Sequence, residues 1–171
     1  MGKGQDQERL ISVKLSLWWS NGTRDDLFWR SAGSGGRATQ RAKSGKLTAN
    51  SYGDICATDA IGQEFLNVTT IESKRGFQDS TIQDLLDKKN RKGGMWDMVH
   101  QAERDASLAG VKYWTLIHRR DRREAVFVTS IPNPDFKIWV DGLDYTIAAM
   151  PESFFLSPLN RERIKAIAKQ G

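Results

Sequence analysis

Asp54, Glu72 and Lys74 are the residues of this 171-residue chain whose types and spacing best suit chemistry. They lie in the stretch SYGDICATDAIGQEFLNVTTIESKRG, Ser51 to Gly76. Glu72 and Lys74 are two apart, so on a strand both side chains leave the same face. Asp54 opens a second apolar run, Ile55-Cys56-Ala57, and strand pairing can carry its carboxylate to that face. Two carboxylates held together repel, and a divalent cation between them removes the repulsion and fixes their spacing. An ammonium alongside can orient water or offset charge on a phosphoryl oxygen. These are the parts of a metal-dependent phosphodiesterase site. The same residues also read as a solvated hairpin with an i, i+2 ion pair, and on this stretch alone the two readings stand level.

The elements that must position these groups follow from periodicity and stop signals. Phe65 to Lys74 is rich in β-branched residues, and a polar, glycine-containing break, Thr58 to Glu64, separates it from Ile55–Ala57. This pattern predicts two neighbouring antiparallel strands, with Asp59 and Glu64 in their turn and without chemistry. Upstream, a helix is predicted from Asp6 to Ser20, capped by Asp6 and ended by Asn21-Gly22. Leu10, Ile11, Leu15, Leu17 and Trp18 form its apolar stripe. Glu8 falls in its first turn, where the helix dipole favours a carboxylate. Leu27–Trp29 reads as a short strand or helical turn. Downstream, Ser80 or Thr81 caps a short helix through Ile82, Leu85 and Leu86. Met95 to Leu108 is predicted helical, with Trp96, Val99, Ala102 and Ala106 on one face and Gly110 as its stop. Tyr113–Ile117 and Ala125–Thr129 read as strands joined by a basic tip, Arg119 to Arg123. A short Ile138–Val140 strand follows, and Ser157-Pro158 starts a last helix to Lys169. The order predicts one α/β domain over residues 1–171, a central mixed β-sheet flanked by helices. Residues 131–171 form a C-terminal extension packed on its core.

Charge adds a second theme. Lys and Arg number 26 against 21 acidic residues, a net charge of +5 that suits a polyanion-binding surface. The segment from Arg30 to Asn50 combines Gly and Ser with Arg30, Arg37, Arg41, Lys43 and Lys46 and has no acidic residue. It reads as a loop against phosphate, with Arg37–Asn50 a mobile basic loop, or as a plain surface linker. A single cysteine, Cys56, excludes an internal disulfide framework, and two distant histidines disfavour a zinc finger. No run is long and apolar enough to span a membrane and the first residues lack a signal-peptide core, so a cytoplasmic location is expected. Cys56 reads as a small buried filler, Asp25 and Asp26 as surface partners of Arg24 and Arg30, and Gln101 as structural or DNA-contacting.

Taken together, Gly4-x-x-x-Glu8-Arg9, Arg30-x-x-x-Ser34-Gly35, Gly53-Asp54 and Glu72-Ser73-Lys74 resemble the ordered motifs of the PD-(D/E)XK nuclease superfamily. They are most similar to its archaeal-type Holliday-junction resolvases and to phage-encoded endonucleases. The resemblance covers roughly Gly4 to Arg75, and the proline of the superfamily's name is Gly53 here. It implies a restriction-endonuclease-like fold and a homodimeric, metal-dependent DNA endonuclease acting on branched DNA. Glu8, Asp54 and Glu72 would hold Mg²⁺, with Mn²⁺ able to substitute. Lys74 and Ser34 would join them in catalysis, and Arg30, Ser34, Arg37, Arg41, Lys43, Lys46 and Arg75 would contact DNA. The segment between Ser34-Gly35 and Gly53-Asp54 and the tail beyond Ser130 are longer than that pattern. A nicking endonuclease on linear duplex and a non-catalytic DNA-binding protein are the alternatives.

Overall fold

The computed structural model describes residues 3–31, 52–87, 90–140 and 142–170. In chain order the elements are α1 (Lys3–Trp19), β1 (Phe28–Arg30), β2 (Ile55–Ala57), α2 (Ala60–Leu66), β3 (Thr69–Arg75), α3 (Gln83–Asp87) and α4 (Met95–Ala109). Then follow β4 (Tyr113–Arg119), β5 (Val126–Thr129), β6 (Lys137–Ile138), β7 (Ile147–Pro151), α5 (Glu152–Phe155) and α6 (Pro158–Ala168). Five strands form a mixed sheet in the order β3-β4-β5-β7-β6, and β1 and β2 form a separate antiparallel pair. β3 and β4 are parallel, which requires a crossover, and α3 and α4 supply it.

Alternation along the strands divides the core into two layers. Ile71, Ile117 and Phe127 face α1 and α6, packing with Ile11, Leu15, Trp18, Trp19, Phe155 and Ile164. Trp114, Leu116 and Val128 face the other way, onto Trp96, Val99, Ala102 and Ala106 of α4. α4 keeps its predicted apolar face and ends at Gly110, whose φ of 69° is the left-handed cap that glycine adopts without strain. Ser157 caps α6 as expected, its hydroxyl accepting from the Asn160 N–H.

Two local expectations are overturned. The predicted hairpin of residues 55–74 does not exist: helix α2 separates its halves, β2 pairs with β1, and β3 pairs with β4. Asp59, read as a turn residue, is the N-cap of α2, its carboxylate accepting from the Ile61 and Gly62 N–H groups. Phe65 and Leu66 are apolar enough for a strand, but the capped turn before them starts a helix, and Phe65 is buried from it. On α1, Leu10 and Leu17 do not join the buried stripe. They are 44% and 41% exposed, and Val13 beside them 40%, while Ile11, Leu15, Trp18 and Trp19 go inward. Beyond residue 131, β7 lies inside the sheet between β5 and β6, a strand the sequence reading missed.

Candidate active site

β3 places Glu72 and Lys74 on the α4 side of the sheet, in register with Leu116 and His118 of β4. Glu72 is 3% exposed, and the Lys74 ammonium lies 2.5 Å from its Oε1. Asp54 arrives by a different route from the one predicted. It precedes β2, its N–H donates to the Ile71 carbonyl at 2.8 Å, and its Oδ2 accepts from the Ser73 N–H at 2.9 Å. Those two bonds lock the Asp54 carboxylate against β3 without any continuing ladder.

Gly53 makes this approach possible. Its φ is +81°, and a Cβ there would sit 2.6 Å from the Ile71 carbonyl oxygen. Proline, fixed near φ of about −65°, cannot adopt that conformation. The departure Pro to Gly is therefore a geometric requirement of how this chain delivers its aspartate.

Glu8, on α1, is close enough for its charge to act on Asp54, and it ion-pairs with Arg30 at 3.3 Å. α4 adds two groups that sequence reasoning did not place in the site. The Gln101 amide donates to Glu72 Oε1 at 2.7 Å. Asp105, one turn further, shares a hydrogen bond with the same carboxyl. Their i, i+4 spacing puts both on one helix face, and that spacing was the available signal. From α1, Gln7 is buried and its Nε2 donates to Ser73 Oγ and to the Lys74 carbonyl, tying the Glu8 helix to the strand.

The electrostatics follow from burial and like charge. Desolvation, then the charge of Asp54, pushes the Glu72 carboxyl up to about 8. Desolvation likewise raises Asp54 to about 6, opposed by the Ser73 N–H and reinforced by Glu8. Burial also raises Asp105. The protein alone thus holds these acids at a cost.

The remaining candidates are placed as follows. Arg75 is half-buried and pairs with Asp121 at 3.9 Å. Asp26 pairs with Arg24, as does Asp59, away from the site. Cys56 is half-buried beside an open pocket of about 260 Å³ along β2 and β3, and burial raises its thiol. Trp19 is buried, its indole N–H donating to the Ile61 carbonyl, whereas Trp29 is 54% exposed. Ser34, Arg37, Arg41, Lys43, Lys46 and the Arg37–Asn50 loop lie outside the described residues.

Comparison with protein families decides what scaffold this is. The model of the family described as phage putative PDDEXK endonuclease matches residues 1–151. The chain belongs to that family. No curated protein and no solved structure matches it. As a member of that family the chain has the mixed sheet flanked by helices expected of it, and DNA is the substrate that membership of a nuclease family implies. Among the described residues no helix is long and apolar enough to cross a membrane.

The family implies a divalent metal, and the donor chemistry here fits one. Asp54 and Glu72 present hard oxygen ligands, buried and mutually repelling, which a cation would relieve. Among the described residues no three His, Cys, Asp or Glu side chains already converge on one point. Glu8 ion-pairs with Arg30, and Lys74 and Gln101 both engage Oε1 of Glu72.

Proposed function

We propose that this PDDEXK-family chain is a Mg²⁺-dependent DNA endonuclease whose preferred substrate is a branched junction. The observation that carries the catalytic part is the buried Asp54–Glu72 pair with the Lys74 ammonium against it. In this reading Asp54 and Glu72 hold Mg²⁺, with Glu8 as third carboxylate, and Mn²⁺ can replace it. The ion supplies Lewis-acid activation of water and offsets charge building on the phosphate.

The chain's own residues do the rest. Lys74 is partly exposed at the strand end, so its ammonium can swing from Glu72 to a phosphoryl oxygen or to the attacking water. Gln101 holds Glu72 in one orientation, and the Ser73 N–H does so for Asp54. Arg30, Arg75 and the basic residues of the 37–46 segment bind the phosphate backbone, with Ser34 beside the strand to be cut.

The junction preference rests on the ordered motifs Glu8-Arg9, Arg30-x-x-x-Ser34-Gly35, Asp54 and Glu72-x-Lys74, and on a requirement of symmetry. Cutting two opposed strands needs two copies of the site at a fixed separation, which a two-fold homodimer supplies. The exposed Leu10, Val13 and Leu17 lie along one face of α1, the helix carrying Glu8, and offer apolar surface for a second copy.

The test is cleavage of a four-way junction and a matched linear duplex, with and without Mg²⁺, alongside sedimentation. A dimer that cuts opposing junction strands only with Mg²⁺ and spares the duplex is expected. Lys74→Ala and Asp54→Asn should abolish cutting and keep DNA binding. Either variant cutting within about tenfold of wild type, roughly 1.4 kcal/mol of barrier, refutes the site. A monomer, or equal cutting of junction and duplex, refutes the junction preference alone.

A further inference from the structure

Immediately after Lys74 and Arg75 the chain leaves β3 through two consecutive residues with positive φ, Gly76 at 94° and Phe77 at 52°. Glycine adopts this region freely, whereas a bulky side chain there is a genuine outlier. Among the described residues four non-glycine positions have positive φ: Asn21, Phe77, Arg91 and Arg122. Phe77 is the aromatic one. Phe77 is also 58% exposed, so little burial offsets the backbone cost.

The surroundings hold the turn from three sides. The Gly76 N–H donates to the Arg119 carbonyl at 3.0 Å, extending the β3–β4 ladder by one bond. The buried His118, opposite Lys74 in that ladder, hydrogen-bonds the Gly76 carbonyl through Nε2 at 3.0 Å. The Ser80 N–H donates to the Phe77 carbonyl at 2.9 Å. Strain persists where neighbours over-determine it, and such positions cluster at working sites. Here the construction aims an apolar ring into solvent.

How far it lies from the acidic site is bounded by chain length. Two residues lie between Lys74 and Phe77, so their Cα atoms, three steps apart, are at most about 11 Å from each other. Successive nucleotides of a duplex strand rise about 3.4 Å. The Phe77 backbone therefore lies within about three base steps of the Lys74 backbone. Lys74, Arg75, Arg119 and Arg120 gather at the same strand ends, with Asp121 against Arg75. Cations that track a backbone, with an exposed aromatic among them, are the makings of a base-stacking platform.

We propose that Phe77 is a specificity-determining residue that stacks on the base flanking the scissile phosphodiester, holding it out of the duplex stack. The proposal rests on the nuclease reading above and adds a contact to the base, where the acidic site addresses only the phosphate. A rigid strand end that presents both groups couples cutting to an opened base step. Paired DNA must be unstacked against Phe77, whereas a step that is already open needs less of it.

The experiment compares the full chain with Phe77→Ala, Phe77→Trp and Phe77→Gly. The substrates are one four-way junction and the same junction with an unpaired base beside the cut site. A second arm follows the fluorescence of 2-aminopurine at that position, with Ca²⁺ in place of Mg²⁺ so that binding is read without cleavage. Phe77→Ala should cut the paired substrate at least about tenfold more slowly, roughly 1.4 kcal/mol. On the opened substrate it should stay within about twofold, Phe77→Trp should retain both activities, and Phe77→Ala should lose the fluorescence change on binding. Phe77→Gly, which suits the left-handed backbone, should melt no lower than wild type while losing the same signal, separating stacking from folding. Equal slowing on both substrates, or an unchanged fluorescence response in Phe77→Ala, overturns the proposal. Wild type that cuts neither substrate but shows the Phe77-dependent fluorescence refutes the nuclease reading and supports the stacking contact.

Discussion

Replacing Glu72 by glutamine should make the metal-free protein more stable while removing its activity. The Glu72 carboxyl is 3% exposed, and burial and the Asp54 charge raise it from 4.5 to about 8. A carboxyl raised on folding contributes its full stability below the unfolded value and loses it as pH rises towards the folded one. At neutral pH the folded chain must therefore take up a proton that the unfolded chain lacks. Over the interval from 4.5 to pH 7 this costs about 3 kcal/mol at 1.36 kcal/mol per unit. A glutamine amide carries neither the charge nor the titration and can still meet Gln101 and Asp105. Losing the Lys74 contact takes back about 1 kcal/mol at most, because that ammonium can return to solvent. The net gain is about 2 kcal/mol, a rise in Tm of roughly 4–8 °C for a chain of this size. The assay is thermal unfolding of wild type and Glu72→Gln in chelator, from about pH 4 to about pH 9. The two should melt together at the acid end and diverge as pH rises. Adding Mg²⁺ should lift only wild type. A variant less stable than wild type near neutrality, or an offset independent of pH, would show that the buried acids are not held at a cost.

Three further outcomes are expected. Metal binding must displace protons from Asp54 and Glu72, so the apparent affinity for Mn²⁺ should climb as pH passes through about 6 to about 8. Calorimetry in buffers of different ionisation enthalpy should detect proton release near pH 6, and proton-free binding there contradicts the assignment. Gly53→Ala places a Cβ against the Ile71 carbonyl at positive φ, so stability should fall by about 2 kcal/mol or more and cleavage should be lost with it; an unchanged melt would mean Asp54 reaches β3 by another backbone path. Neutralising Arg37, Arg41 and Lys43 together should lower the slope of log K against log salt for duplex binding by up to about 0.9 per lost phosphate contact, and an unchanged slope reduces that segment to a linker.

Local order in the chain was enough to read much of this protein. The heptad-like apolar face of α4, its Gly110 stop and the Ser157-Pro158 start of α6 are short-range patterns, and each element formed where its pattern lies. The i, i+2 relation of Glu72 and Lys74 survives because strand alternation depends on nothing beyond the strand. The ordered motifs pointed to the family that matches residues 1–151. What the sequence left open was pairing and contact between distant segments. β2 and β3 look like a hairpin, but a side-chain cap from Asp59 favours a helix between them, and the partners of both strands come from elsewhere. Asp54 meets Glu72 because Gly53 turns left-handed against Ile71, and no pattern along the chain announces that close approach. Gln101 and Asp105 reach Glu72 because α4 crosses back over β3, 29 residues on in the case of Gln101. Residue types state what chemistry is available. Which groups are desolvated together, and hence which carboxyls are raised, depends on packing between elements far apart in sequence.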